Sequence, residues 1–261
     1  MSDIEEVVRA QGLLAEGRPV VVMYSGGRDS TCLLDLAARI AGPPAVSALH
    51  VNYGLRATAD ADERHCAGVC AGLGIGLDVR RPVRPGERAG NLQAWAREER
   101  YRAAADLAVA RTADVAVGHT RSDQVETILY RLASSPSRRA VLGMLARDGP
   151  HPSLVRPLLP FTREETGAYC TTHGLPWRDD ETNDTATYAR NRIRQQLVPA
   201  LERVHPAAQA NVLALAEILR AEAEVLDELV DATLGGRAEI ALERLRELPP
   251  ALRRLVVQRL A

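Results

Sequence analysis

Lysine is missing from this chain: 33 of its 261 residues are basic, and every one is arginine. A phosphate loop of the Gly-x-x-x-x-Gly-Lys-Ser/Thr kind, whose lysine reaches the terminal phosphates, is therefore excluded. Aromatic residues make up 3%, with a single Phe, too few for a sheet that reads RNA by stacking bases. Cysteine is also scarce. Cys32, Cys66, Cys70 and Cys170 form no Cys-x-x-Cys pair, and they read as reduced packing thiols, with Cys66 and Cys70 able to share a helix face. Net charge is −1, so no global field draws a polyanion, and any RNA contact has to come from local arginine clusters. No apolar run approaches the ~20 residues of a membrane span. The N-terminal stretch carries Glu, Asp and Arg without the apolar core of a secretory signal. The expectation is a cytoplasmic chain with no membrane partner, long enough for one large or two modest domains.

What is present is concentrated in residues 20–36, VVVMYSGGRDSTCLLDL. A β-branched run from Val20 to Tyr24 meets Ser25-Gly26-Gly27-Arg28-Asp29-Ser30, and a helix-compatible segment follows at once. Strand, glycine turn and helix start in that order build an anion site. Gly26 and Gly27 let backbone N–H groups approach phosphate, and the helix start adds its positive end. Ser25 and Ser30 add hydroxyls, and Asp29 can hold Mg²⁺ against the phosphates. The bland alternative is an ordinary strand-to-helix turn. Ser-Gly-Gly-x-Asp-Ser resembles the PP-loop of the ATP pyrophosphatase superfamily. The resemblance implies a grip on the β,γ-pyrophosphate of ATP, an α-phosphate exposed to a nucleophile, and release of pyrophosphate.

Strand and helix candidates alternate along the chain. Strands are expected at Val20–Tyr24, Ala45–Val51, Leu77–Val83, Asp114–His119 and Val155–Leu159. Helices are expected at Ser30–Ile40, Ala59–Leu73, Leu92–Ala110, Ser122–Ala133 and Arg163–His173. This is the pattern of an α/β fold with a doubly wound, Rossmann-like parallel sheet, whose ligands sit at the carboxyl ends of the strands. Ser134–Ser137 and Asp148–Ser153 read as loops. From Ala207 onward the pattern is almost wholly helical, with an apolar stripe at Leu213, Leu215, Ile218, Leu219, Leu226, Leu229 and Val230, a break at Gly235-Gly236, and a last helix at Pro249–Leu260. The expected division is a catalytic domain over residues 1–200 and a small all-helical appendage over 201–261.

Three further constellations could carry chemistry. In Gly118-His119-Thr120-Arg121-Ser122-Asp123-Gln124-Val125-Glu126-Thr127, Asp123 and Glu126 are three apart at a helix start and share its face, with His119 just before them. Two carboxylates there could bind Mg²⁺, bind an ammonium group or act as a base; Asp-x-x-Glu is equally good capping chemistry. Arg97 and Arg100 could face phosphates or simply pair along a solvated helix. Arg190, Arg192 and Arg194 form either a patch for a phosphate backbone or a basic solvated face.

Eight blocks in order resemble the tRNA(Ile)-lysidine synthase family: SGGRDS from Ser25, HVNYGLR from His50, N-x-x-A-x-A-R-x-x-R-Y from Asn91, GHTRSDQVET from Gly118, Leu142-Gly143-Met144, Arg156-Pro157-Leu158-Leu159, Trp177-Arg178-Asp179-Asp180-x-x-Asn183, and Arg190-Asn191-Arg192-Ile193-Arg194. Together they cover residues from about 18 to 205. The resemblance implies that ATP adenylates the C2 oxygen of the wobble cytosine in an isoleucine tRNA with a CAU anticodon. Free L-lysine then attacks C2 through its ε-amine and displaces AMP. It places Ser25, Gly26, Gly27, Asp29 and Ser30 on the ATP phosphates and Mg²⁺, Arg97 in adenylation, and His119, Asp123 and Glu126 at the active centre. Local charge, rather than the resemblance, assigns Arg190, Arg192 and Arg194, the densest basic cluster of the catalytic part, to tRNA together with the helical tail. Self-association as a homodimer is left open. The family usually has His where Tyr53 stands, Asp where Ser122 stands, and His or Asn where Thr120 stands, so those three receive no role from the resemblance. Long members carry a further C-terminal domain, which leaves open whether this chain is a short form or part of a longer one. Two other functions compete. A sulfur-inserting thiolase of the same superfamily would need paired or cluster-binding cysteines, and a binding module that has lost catalysis would not need Asp29, Asp123 and Glu126.

Overall fold

The computed structural model describes residues 3–83, 92–178 and 189–260. It falls into two compact units, Met1–Glu126 with Met144–Arg192, and Thr127–Gly143 with Ile193–Ala261.

The first unit is built on one six-stranded sheet in the order β3-β2-β1-β4-β6-β5. The strands are β1 Val20–Met23, β2 Val46–Val51, β3 Gly76–Arg80, β4 Asp114–Ala116, β5 Arg147–Asp148 and β6 Leu154–Val155. β1 is buried along its whole length because both faces are covered, which is why it reads as an unbroken β-branched run. Val20 and Val22 pack on one side against helices α1 Ile4–Ala10, α2 Arg28–Ala41, α3 Ala59–Leu73 and α6 Arg163–Thr172. Val21 and Met23 pack on the other against Ala103, Ala104, Leu107 and Ala108 of α4 Leu92–Arg111. The remaining helix of this face of the sequence, α5 Arg121–Ser134, follows β4. β1 pairs in parallel with β2 on one side and β4 on the other, so the strand order reverses between β1 and β4. A crevice opens at the carboxyl ends there.

Pairing is parallel through five strands only. β5 is antiparallel to β6, where an all-parallel sheet and a loop from Asp148 were expected. A strand of two residues has no period to read, and Gly149, Pro150 and Pro152 hide the hairpin behind turn chemistry. Two strands end earlier than expected for lack of a donor: β3 stops before Pro82 and β6 before Pro157. β4 stops at Ala116 because the chain leaves the ladder toward the crevice. At the opposite, amino end of the sheet, Asp114 is buried and accepts from Arg18 at 2.7 Å, Arg147 at 3.0 Å, His151 at 2.9 Å and the Ser153 N–H at 2.9 Å. Burial would raise its pKa, but these donors outweigh it and hold the carboxyl below the usual range. That tie fastens the β5–β6 hairpin to β4.

In the second unit, α7 Ala189–Arg192 of the first leads through a π-turn at Ile193–Leu197 into α8 Val198–Val204, α9 Ala208–Leu234, α10 Leu242–Glu247 and α11 Pro250–Leu260. Only part of the expected stripe on α9 is packed: Val230 is buried and Leu213, Leu219 and Leu226 are half-buried. Leu215 and Ile218 are each 56% exposed and Leu229 48%, while Ala216, Ala223, Val230 and Leu234 are buried. Small side chains let neighbouring helices approach closely, and a hydropathy pattern cannot see that. Arg139 and Arg259 bind Asp227 and Asp231 across this unit. No helix among the described residues is long and apolar enough to cross a membrane. All four thiols are free and buried.

Candidate active site

The loop after β1 carries the first half of the site. Gly26 has φ +80, and a Cβ there would stand 2.9 Å from the Cys66 sulfur, so both conformation and space require glycine. Gly27 is the N-cap of α2. The two serines are organised by each other: Ser25 N–H donates to Ser30 Oγ at 3.2 Å, their hydroxyls lie 3.0 Å apart, and Ser30 Oγ donates to the Gly27 carbonyl at 2.9 Å. The Arg178 N–H holds the Gly26 carbonyl at 3.0 Å. The turn is thus closed by its own side chains and by the chain after α6, with the first N–H groups of α2 at its open end.

Asp29 follows in the first turn of α2. Thr166, fully buried on α6, donates to its Oδ1 at 2.5 Å, and Arg163 Nε stands 3.6 Å from Oδ2. Burial raises the pKa of this carboxyl, with the Thr166 hydrogen bond and Arg163 opposing. The loop after β4 comes against it: a Cβ at Gly118 would stand 3.1 Å from the Asp29 backbone carbonyl.

Beyond Gly118, His119 leads into α5. Asp123 and Glu126 are buried on one face of its first turns. The cap and the acidic pair, alternatives in the sequence, are both present and divided differently from the Asp-x-x-Glu reading. Thr120 precedes the helix, and its N–H and hydroxyl donate to Asp123 Oδ2 at 2.9 and 3.0 Å. Asp123 therefore caps with one oxygen, and Glu126 takes no part in the cap. Their remaining oxygens face two guanidinium groups. Arg163 reaches Asp123 Oδ1 at 2.6 Å and Glu126 Oε1 at 3.5 Å. Arg190 reaches Glu126 Oε2 at 2.9 Å and Asp123 Oδ1 at 3.3 Å. Burial acts to raise the Asp123 pKa, but Arg163 and Arg190 prevail and hold it low.

Arg163 and Thr166, which between them contact Asp29 and the acidic pair, are residues of the candidate site that sequence reasoning missed. One signal was available. Arg163 opens α6, whose capping box Thr162–Glu165 is complete; a cation in the first turn opposes the helix dipole, and its placement needs another reason. Arg190, read from sequence as a tRNA contact, lies in these ion pairs. Arg192 and Arg194 are also engaged within the chain. Arg97 is exposed on α4 with its guanidinium 4.6 Å from the Tyr101 ring centroid. Tyr53, which stands at a usual His position, donates to the Ala96 carbonyl at 2.6 Å and packs edge-on against Trp95. Asn91, Asp179, Asp180 and Asn183 of the matching blocks lie outside the described residues.

Among the described residues, no group of three or more His, Cys, Asp and Glu is arranged to hold a metal ion. Asp29 by itself fits a Mg²⁺ that arrives with a polyphosphate, since Mg²⁺ takes one or two carboxylates plus phosphate oxygens and waters. Among the described residues its guanidinium neighbours stand off, Arg28 at 3.5 Å from Oδ1 and Arg163 at 3.6 Å from Oδ2, and its raised pKa marks a buried charge that a cation would relieve.

His119 is half-buried and its Nδ1 has no hydrogen-bond partner among the described residues. Burial, opposed by Asp123 and reinforced by Arg190, Arg156 and Arg97, pushes its pKa down to about 4. It is neutral at pH 7 and a hydrogen-bonding group rather than a cation. The unfolded chain binds this proton near pH 6.5 and the folded chain does not, so stability falls as pH drops from 6.5 toward 4. Between pH 7 and 4.5 this imidazole should cost about 2 kcal/mol. Urea unfolding of wild type and His119→Gln at both pH values checks it: wild type should lose that much more than the variant, and equal losses would mean the ring titrates normally.

A family model described as a PP-loop domain matches residues 2–201. The chain is 42% identical over 219 residues to the tRNA(Ile)-lysidine synthase of Pseudomonas fluorescens, an alignment covering 82% of this chain and 48% of that protein. It is 37% identical over 260 residues to the tRNA(Ile)-lysidine synthase of Gloeobacter violaceus, covering 96% and 78%. The chain thus spans about half the length of the Pseudomonas fluorescens relative, and likewise of that from Burkholderia mallei. Among solved structures it is similar to the U34-tRNA thiolase NcsA of Methanococcus maripaludis, with a TM-score of 0.66 over 83% of this chain and 78% of that one. At 17% identity this is a likeness of fold.

Proposed function

We propose that this chain, which belongs to the tRNA(Ile)-lysidine synthase family of PP-loop proteins, joins L-lysine to C2 of the wobble cytosine of a CAU-anticodon isoleucine tRNA at the expense of ATP. The observation that carries the reading is the juxtaposition of two chemistries at one crevice: an anion-binding turn with Asp29 on β1–α2, and a buried carboxylate pair on α5 that can hold a cation.

In this reading Ser25, Gly26, Gly27 and Ser30 bind the β,γ-phosphates. Asp29 would hold a Mg²⁺ arriving with the polyphosphate, and the ion would supply neutralisation of the phosphate charge. The cytosine C2 oxygen attacks the α-phosphorus, and pyrophosphate leaves. Arg97 is assigned to that step. The anticodon loop must be unstacked to present the base, and Arg192, Arg194 and the helical tail over 201–261 hold its phosphates. The lysine ε-ammonium then binds between Asp123 and Glu126. Asp123, kept ionised by Arg163, suits holding the ammonium; Glu126 takes its proton. The neutral amine attacks C2, the C2–O bond breaks, and AMP leaves. Neutral His119 orients a polar group of the base or phosphate through Nδ1.

Incubation with labelled lysine and an isoleucine tRNA transcript tests the reading. Label should enter the tRNA only when ATP is present, with AMP and pyrophosphate formed in equal amount. Incorporation of sulfur from a sulfide donor without lysine would instead establish a thiolase.

A further inference from the structure

We propose that the Arg190 guanidinium occupies the position of the substrate ammonium between Asp123 and Glu126, and that a phosphate group must draw it away before the amine can bind. The inference deepens the function proposed above and rests on it.

Two guanidinium groups, those of Arg163 and Arg190, already pair with both carboxylates. The Glu126 side chain is 3% exposed and that of Asp123 9%. Each carboxylate faces both guanidinium groups, and Arg190 also approaches the Asp123 carbonyl at 3.4 Å. The two arginines are not held equally. Arg163 spans Asp29, Asp123 and Glu126, sits behind the capping box of α6 and is 18% exposed. Among the described residues Arg190 pairs with the α5 carboxylates alone; it comes from the four-residue helix Ala189–Arg192 and is 40% exposed. Of the two, Arg190 has the shorter way to solvent. Its contacts, one N–H on each carboxylate, are those a primary ammonium would make.

A displaced guanidinium needs another anion, and phosphate, like carboxylate, matches its donor fork with two parallel hydrogen bonds. Two sources reach this crevice in the proposed reaction: the nucleotide phosphates at the Ser25–Ser30 turn and the tRNA backbone. Either would exchange carboxylates for phosphate on Arg190 and free the pair. Lysine and the phosphate ligand then bind with positive coupling, equal in both directions because it is an equilibrium property. A free amine meeting the unloaded protein has to compete with Arg190, so lysine binds more tightly to the complex that can use it.

The test is calorimetric titration of L-lysine into the full chain, alone, with a non-cleavable α,β-methylene ATP, or with the CAU-anticodon tRNA transcript. Wild type should bind lysine about tenfold more tightly in at least one phosphate arm than alone, and which arm does so identifies the source. Arg190→Ala should bind lysine more tightly than wild type when neither is present, with the coupling reduced toward unity. Arg190→Lys should keep the coupling, since its ammonium fills the same place. Lysine affinity in wild type that is indifferent to both phosphate ligands overturns the inference, whether or not the variants fold. So does Arg190→Ala binding lysine more weakly than wild type in the absence of both. Lysine binding in no arm overturns the proposed function and this inference together, whereas binding without coupling overturns this inference alone.

Discussion

Asp29→Ala is expected to slow pyrophosphate release by about a thousandfold, the order of effect seen when a preorganised charge is removed from a developing transition state. Asp29 is the single carboxylate of the turn, and its position is over-determined: Thr166 donates at 2.5 Å, and Gly118 brings the β4–α5 loop within contact of its backbone. Asp29→Asn separates charge from shape. The amide oxygen can keep the Thr166 hydrogen bond, but it cannot replace the charge on Mg²⁺, so both variants should fail alike. Neither should unfold the protein, because the Asp29 side chain is 20% exposed and Arg163 retains Asp123 and Glu126 as partners. Wild-type rates in Asp29→Asn would show that the ionised carboxylate is not needed. ADP and inorganic phosphate as the main products of the wild-type protein would overturn the assignment of the bond that is cleaved.

Glu126→Gln and Asp123→Asn should slow lysine transfer by about 10² to 10⁴-fold, the range for loss of a positioned acid–base or cation-holding group, while nucleotide binding stays within a few-fold. The two reaction steps are then separated, and adenylated tRNA should accumulate and be recoverable by acid quench. The variants differ in a second readout. Asp123 also accepts both Thr120 donors, so Asp123→Asn weakens the start of α5 by about 1 kcal/mol in addition to its effect on transfer. Glu126 caps nothing, but Glu126→Gln leaves Arg163 and Arg190 sharing one buried carboxylate, a penalty of a few kcal/mol. Melting temperatures measured beside the kinetics tell a folding defect from a chemical one. If both folded variants transfer lysine at the wild-type rate, the pair is only structural.

Much of this candidate site is legible in the sequence. The strand, turn and helix at Val20–Ala41 follow from a buried β-branched run, a glycine that must take positive φ, and a helix start, all within a few residues of one another. Placing Asp123 beside Glu126 needs only the helical repeat. The α/β class follows from the alternation of short apolar runs with helical segments. The order of strands, which opens the crevice between β1 and β4, does not.

What the sequence determined by itself is local: which residues form the glycine turn after β1, which two carboxylates share a helix face, and which segments alternate in the sheet. Capping, glycine geometry and helical periodicity act over four residues or fewer, so they are written in the order of the chain. What only the tertiary structure decided is through-space partnership. Thr166 meets Asp29 across 137 residues, Arg163 meets Asp123 across 40, and Arg190 meets Asp123 across 67. No spacing encodes those distances, because they are set by how α6 packs on α2 and by where the chain returns after it. The same packing removes water from His119 and so makes it neutral. It also turns Arg190, one more arginine in a basic run, into a counterion of the buried acidic pair, since a carboxylate taken out of water is stable only with a cation against it.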